Sequence, residues 1–249
     1  GESVYLTREE KIRLVSAAVE YADKDKLIIA GTGSDSIKET ILLTNETAKA
    51  GAMYALVLTP SYYKSKMNHK AMIDYFTIVA DSIRIPLIIY NVPKFTGINI
   101  NASTVAELAE HDNIVGLKNS SENIDEMSAF VNETPEEFAV LAGSASVLYP
   151  SFKIGAVGAV AALANIAAEQ CIKVYSEFNN GNLEEAGTLQ GKLIEANSAV
   201  TAKFGVPGLK AAMDMIGYFG GKPRKPMQPL EPDEHEELRQ ILLRASIIS

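Results

Sequence analysis

Short apolar runs recur along the chain and alternate with stretches of helical periodicity. The runs are rich in Val, Ile and Leu and are apolar throughout, which is typical of strands that are buried on both faces of a parallel sheet. They span residues 27–30, 54–58, 87–90, 114–117, 139–142 and 156–163. Most of them end at Gly, Pro, Thr, Asn or Ser, as loops from strand to helix do. The pattern predicts six parallel strands.

Helical patterns fill the intervals between these runs. In the first, Thr7 and Glu10 have the spacing of a capping box, and Ile12, Val15 and Val19 repeat on one face. Further helices are predicted over residues 37–50, 70–82, 104–110, 124–131 and 166–178, and then, with no strand between them, over 183–199, 209–218 and 233–246. We therefore predict a barrel domain over residues 1–180 and a C-terminal helical extension over 181–249.

The succession of strands and helices predicts an α/β fold of the TIM (β/α)8 barrel type. A closed barrel of this kind needs eight strands, and only six runs are visible. We expect the first two strands and one helix to precede Gly1. An open six-stranded sheet is the alternative.

Composition and charge narrow the possible partners. Of 249 residues 47% are hydrophobic, and the net charge is −8 with Lys and Arg scattered, which argues against nucleic acid and anionic membranes as partners. No apolar run reaches the roughly 18 residues of a membrane span, so we expect a soluble protein. The single Cys171 forms no internal disulfide and no Cys/His spacing suggests zinc. A reducing compartment such as the cytoplasm or the mitochondrial matrix fits.

Two residues at predicted strand ends could carry chemistry. Lys118 follows an apolar run, and in a partly dry pocket its amine would lose its charge and attack a ketone. Position alone favours a different interpretation, a solvated loop lysine. Tyr90 ends the preceding run, where a phenol could shuttle protons. The alternative is a tyrosine that covers the barrel core.

Taken together, the strand-end segments resemble the family of dihydrodipicolinate synthase and N-acetylneuraminate lyase over essentially the whole chain. The resemblance is carried, in order, by Gly1-Glu2, Leu6-Thr7 with Glu10, and residues 30–33, 59–63, 90–93, 96–97, 116–118, 143–144 and 155–158. Within the family the chain looks most like 4-hydroxy-2-oxoglutarate aldolase, on residues 118–120, 163–165 and 200–210.

The resemblance implies a Schiff-base mechanism without a metal or an organic cofactor. Lys118 matches the lysine that binds pyruvate covalently, and Tyr90 matches a proton-relay tyrosine. Tyr62 matches the tyrosine that reaches a neighbouring subunit's site, so we expect a homo-oligomer built as a dimer of dimers. Gly143 and Val160 match positions that line the pyruvate pocket through their backbone.

Substrate choice is expected to depend on two further positions. Ser120 matches a serine associated with the substrate in the 4-hydroxy-2-oxoglutarate branch. Phe95 stands where dihydrodipicolinate synthases carry an arginine that holds the second substrate's carboxylate, and a phenyl ring cannot replace that bidentate contact. The family's polar pair that precedes the glycine matched by Gly1 lies outside the sequence.

These observations predict an aldolase that cleaves a 4-hydroxy-2-oxo acid, with 4-hydroxy-2-oxoglutarate as the first candidate, to pyruvate and an aldehyde such as glyoxylate. The alternatives within the enzyme class are dihydrodipicolinate synthase and an aldolase for 2-keto-3-deoxy sugar acids. A catalytically silent barrel that only binds a 2-oxo acid is the alternative from another class.

Overall fold

A computed structural model describes residues 2–249, so the predicted role of Gly1 lies outside the described residues. The chain divides into two compact units. The first comprises Ser3–Leu141, and the second comprises Glu2 together with Ala142–Ser249. The domain boundary near residue 180 stays a prediction.

Six strands form one sheet in which their order follows the chain. The strands are β1 Ile29–Gly31, β2 Tyr54–Leu58, β3 Leu87–Asn91, β4 Ile114–Asn119, β5 Ala139–Ala142 and β6 Gly158–Ala159. The pairs β1–β2, β2–β3 and β3–β4 are parallel, as predicted from the uniformly apolar runs. The strand predicted over residues 156–163 was too long, because β6 has two residues and a 3-10 turn follows at Ala162–Asn165.

Helices alternate with the strands and then continue alone after β6. They are α1 Arg8–Tyr21, α2 Ile37–Lys49, α3 His69–Ser82, α4 Pro93–Thr96, α5 Ala102–Ala109, α6 Ile124–Glu133, α7 Leu148–Lys153, α8 Ala168–Asn179, α9 Leu183–Ser198, α10 Gly205–Met215 and α11 Pro232–Arg244. Every predicted helix is present with shifted ends, and the Thr7–Glu10 capping box is formed at the start of α1. Among residues 2–249 no helix is long and apolar enough to cross a membrane.

The core of the first unit lies between the sheet and the helices that cover it. Leu87, Ile89 and Leu117 of β3 and β4 are fully buried, as are Phe76 of α3 and Phe130 of α6. Consecutive residues of a strand point to opposite faces. Because Ile89 pairs with Leu117 and Tyr90 with Lys118, the apolar pair and the Tyr–Lys pair lie on opposite faces of the sheet.

The second unit begins at the last residue of β5. The amide of Val160 donates to the carbonyl of Ala142 at 2.9 Å, which joins the chain after β6 to the end of β5. Helix α9 supports the loop after β5, because Asn197 Nδ2 donates to Ser144 Oγ at 3.0 Å and to Ser146 Oγ at 2.8 Å. A π-helical turn, Ala199–Lys203, connects α9 to α10.

Candidate active site

Lys118 lies within β4 and is 8% exposed, so the interpretation as a solvated loop lysine was wrong. Strand β4 continues two residues past the predicted end at Leu117, which places the lysine in the sheet itself. Burial lowers the pKa of Lys118 from 10.5 to about 8. No carboxylate among the described residues pairs with its ammonium group. A lysine in this setting is partly neutral near physiological pH and is available as a nucleophile.

Tyr90 is the register partner of Lys118 on β3, and the Lys118 Nζ atom lies 4.1 Å from the centroid of the Tyr90 ring. Burial raises the pKa of the Tyr90 phenol, and the Ser120 side chain opposes that shift. Ser120 Oγ is itself buried and has no partner in hydrogen-bonding geometry among residues 2–249. The phenol therefore stays protonated at neutral pH, as a proton donor must.

Tyr62 lies on the loop that follows β2, and Phe95 lies in the short helix that follows β3. Tyr62 is 78% exposed, and its ring packs edge-on against Tyr63 with a centroid distance of 5.0 Å. Asp35 holds this loop, since its Oδ1 atom accepts hydrogen bonds from the amides of Ser61 at 2.6 Å and Tyr62 at 2.9 Å. Phe95 lies in the short helix α4 and is 76% exposed, so it is not part of the apolar core.

Gly143 and Val160 belong to the second unit. Gly143 directly follows β5, and Val160 directly follows β6. The Ala142–Val160 hydrogen bond holds these two loops together within that unit. The structure thus brings Lys118, Tyr90 and Ser120 together in the first unit, and Gly143 and Val160 together in the second.

Residues adjacent to the predicted site were missed by the sequence analysis. Asn91 and Asn119 directly follow Tyr90 and Lys118, are 0% and 1% exposed, and bond to each other. An amide directly after a candidate catalytic residue on each of two neighbouring strands was the available signal. Their further hydrogen-bond partners, Asn99 and Glu126, lie 8 and 7 positions along the chain in a loop and a helix, and no pattern in the sequence links them to the two amides.

No group of three or more His, Cys, Asp or Glu side chains within residues 2–249 could hold a metal ion.

The sequence is similar to known proteins along nearly all of its length. The model of the dihydrodipicolinate synthetase family matches residues 1–245. A 4-hydroxy-tetrahydrodipicolinate synthase of Methanoculleus marisnigri is 36% identical over 98% of this chain and 83% of its own length, and one of Archaeoglobus fulgidus is 34% identical over 100% and 85%. A chloride-inhibited dihydrodipicolinate synthase of Acinetobacter baumannii, solved with pyruvate, has a TM-score of 0.94 at 30% identity and covers 100% of this chain and 84% of its own.

A buried, partly neutral lysine beside a phenol on neighbouring parallel strands is the equipment of a class I, Schiff-base-forming aldolase. The chain belongs to the dihydrodipicolinate synthetase family. Members of this family are pyruvate-dependent enzymes of the class I aldolase type. The resemblance predicted from the strand ends is confirmed at the family level, whereas a special closeness to 4-hydroxy-2-oxoglutarate aldolase is not supported.

Proposed function

We propose that the protein joins or breaks a carbon–carbon bond between pyruvate and an aldehyde through a Schiff base on Lys118. The observation that carries the proposal is the burial of Lys118, which lowers the pKa of its amine to about 8. The same amine lies 4.1 Å from the centroid of the Tyr90 ring. A neutral amine is required for attack on a ketone.

The covalent and proton-transfer steps of the proposed reaction use Lys118 and Tyr90. The Lys118 amine adds to the 2-oxo carbon of pyruvate, and loss of one water gives an iminium ion. Tyr90 gives its proton to the departing hydroxyl, and the resulting phenolate takes a proton from the pyruvate methyl group. This gives an enamine and restores the phenol, and the electron pair of the enamine attacks the aldehyde carbon. Tyr90 protonates the resulting alkoxide, and water then releases the product and restores the amine.

The first candidate for the aldehyde is aspartate semialdehyde, which would make the enzyme a 4-hydroxy-tetrahydrodipicolinate synthase. The support is the name carried by both curated relatives, each of which aligns with at least 98% of this chain. This was the alternative in the sequence analysis, and the comparisons favour it over the first interpretation.

The second candidate is cleavage of 4-hydroxy-2-oxoglutarate to pyruvate and glyoxylate. One observation favours it: position 95, where the synthases of the family were expected to carry an arginine, holds an exposed phenylalanine. Aspartate semialdehyde carries its carboxylate beyond two intervening carbons, where an arginine would bind it through two charge-assisted hydrogen bonds and a phenyl ring would not. Glyoxylate carries its carboxylate directly on the aldehyde carbon, so cleavage does not require a contact at that distance.

One set of assays tests both the mechanism and the substrate. Pyruvate with borohydride should add one reduced pyruvyl group at Lys118, and Lys118→Ala should abolish both the label and turnover. Condensation with aspartate semialdehyde, followed through a coupled reductase, is then compared with pyruvate release from 4-hydroxy-2-oxoglutarate. The synthase candidate predicts a higher kcat/KM for the semialdehyde. An advantage of a hundredfold or more for cleavage would establish the second candidate, and a label at another lysine would contradict the mechanism.

The proposal also includes the complete barrel, the pyruvate pocket and a contribution from a neighbouring subunit. The six strands would belong to an eight-stranded barrel, and Gly143 and Val160 would meet pyruvate through their backbone. Tyr62 would complete a proton relay in a neighbouring subunit of a homo-oligomer. These roles are supported by the family resemblance and by the exposure of Tyr62.

A further inference from the structure

A second row of polar side chains lies directly behind the candidate catalytic residues. Tyr90 and Lys118 are register partners, and so are the residues that follow them, Asn91 and Asn119. Since successive side chains of a strand point to opposite faces, the two amides lie on the face away from the phenol and the amine. Both side chains are buried, and a buried amide without hydrogen-bond partners would be costly.

The amides belong to a closed ring of hydrogen bonds. Asn91 Nδ2 donates to Asn119 Oδ1 at 2.9 Å and to Asn99 Oδ1 at 2.7 Å. Asn119 Nδ2 donates to Glu126 Oε1 at 3.0 Å, and Asn99 Nδ2 donates to Glu126 Oε2. We call these four residues the amide ring. It joins β3, β4, the loop after α4 and the first turn of α6.

The hydrogen bonds of the amide ring run in one direction. Asn91 provides both amino hydrogens at one end, and the Glu126 carboxylate accepts at both oxygens at the other. Two further contacts lock this arrangement, because the Ile100 amide donates to Asn91 Oδ1 at 3.3 Å and Ser121 Oγ donates to Glu126 Oε1 at 2.6 Å. No lysine, arginine or histidine among the described residues pairs with Glu126, so its charge is met by these neutral donors alone.

We propose that the amide ring is a positioning device that fixes the distance and orientation between the Lys118 amine and the Tyr90 phenol. The inference rests on the proposed function, because it assigns the ring's effect to the steps that those two groups carry. None of the four ring residues touches the substrate in this proposal. They act through the backbone of β3 and β4. Asn91 and Asn119 directly follow Tyr90 and Lys118, and the other two ring residues are hydrogen-bonded to these amides.

The structure provides a substitution that changes the ring without changing its size. Glu126→Gln replaces one acceptor oxygen by an amino group, which then faces either the amino group of Asn99 or the donors Asn119 and Ser121. Turning the Asn99 amide moves the conflict to Asn91, and turning Asn91 gives up its bonds to the Ile100 amide and to Asn119. No rearrangement of the amides restores all of the bonds.

A second substitution should repair the first. In Asn99→Asp with Glu126→Gln, the new carboxylate at position 99 can accept from Asn91 and from the glutamine, while the glutamine oxygen accepts from Asn119. Asn99→Asp alone places two carboxylates side by side and should therefore impair the ring. Asn99 is exposed, so this single variant is expected to fold.

The native protein, the two single variants and the double variant form a double-mutant cycle. They are compared by the rate of pyruvate-dependent borohydride labelling, by kcat and by the KM for pyruvate. We expect each single variant to lose at least tenfold in labelling rate and kcat at an unchanged KM, and the double variant to regain most of the loss. Asn113→Ala is the matched control. It removes an amide at the opposite end of β4 that donates to the Ala80 carbonyl at 2.9 Å, and it should lower the melting temperature but not kcat.

The outcomes separate this inference from the proposed function. If the native protein is not labelled at Lys118, the proposed function fails. If the native protein is labelled and the single variants keep its rates, or the double variant is no faster than the slower single variant, the amide ring has no positioning role. If Glu126→Gln does not fold, recovery in the double variant relative to Asn99→Asp still supports the inference, and no recovery overturns it.

Discussion

The fold buries the side chain of Lys118, and a buried ammonium group lowers the stability of the folded state. The residue is 8% exposed and has no carboxylate partner among the described residues, and the Tyr90 ring is the described group that contacts the ammonium form. The same burial that makes the amine nucleophilic therefore lowers the stability of the folded protein. A reactive residue of this kind exchanges stability for activity.

Replacing Lys118 by methionine should stabilise the protein in a pH-dependent way. A pKa lowered from 10.5 to about 8 corresponds to about 3 kcal/mol. The free energy of unfolding is smaller by this amount when the buried lysine is charged. This cost is complete below pH 8, decreases between pH 8 and pH 10.5, and is absent above that range. Urea unfolding at pH 7 and pH 10.5 measures it. Lys70→Met, an exposed control on α3, should show no such pH-dependent gain, and an equal gain at both pH values would contradict the assignment.

Phe95 offers a second test at the scale of one residue. Phe95→Arg should raise kcat/KM for aspartate semialdehyde at least tenfold, because a bidentate contact to a carboxylate is worth about 1.5–3 kcal/mol. Phe95→Lys should gain less, since an ammonium group does not reproduce the fork. The rate of pyruvate labelling at Lys118 should be the same in both variants. No gain with arginine would show that another group binds this carboxylate.

At the scale of elements, Asp35 connects the start of α2 to the loop that carries Tyr62. Its carboxylate accepts two backbone hydrogen bonds from that loop. Asp35→Ala should free the loop, and trypsin should then cleave after Lys64 or Lys66 several times faster than in the native protein. Asp35→Asn keeps one acceptor oxygen and should give an intermediate rate.

Asp74→Ala is the control for the loop experiment, because Asp74 is an exposed aspartate of α3 with no partner among the described residues. Its cleavage rate should equal that of the native protein. Equal rates for Asp35→Ala and Asp74→Ala would mean that other contacts hold the loop.

The elements show what the sequence could and could not predict. Uniformly apolar runs predicted all six strands, because these segments carry an apolar side chain or glycine at nearly every position. Helices α4 and α7 were missed, since each is short and contains a proline. The end of β4 was placed before Lys118, because polar residues at the edge of a sheet look like a loop. The amide ring depends on residues up to 35 positions apart, and their contacts exist only after folding.

For the whole molecule, the exposed aromatic residues predict association. Tyr62, Tyr63 and Phe95 are each at least 70% exposed in the single chain, and the first two pack against each other. Aromatic residues are enriched at interfaces because they bury much area with little loss of conformational freedom. The oligomeric state varies within the family, so it must be measured for this chain.

We expect at least a dimer, and a tetramer built as a dimer of dimers. Sedimentation at micromolar concentration should show the assembly, and Tyr62→Phe should lower kcat while leaving the assembly intact. A fully active monomer, or a Tyr62→Phe variant with native turnover, would contradict the predicted role of Tyr62 across an interface.

The order of the strands has a consequence for the way the protein is made. From β1 to β5 each strand lies beside the strand that precedes it in the chain. Each neighbour has therefore already left the ribosome when the next strand emerges, and the nascent sheet can grow one strand at a time from its N-terminal side. Every added strand closes a loop of one or two helices rather than of half the chain, and such short closures cost little entropy.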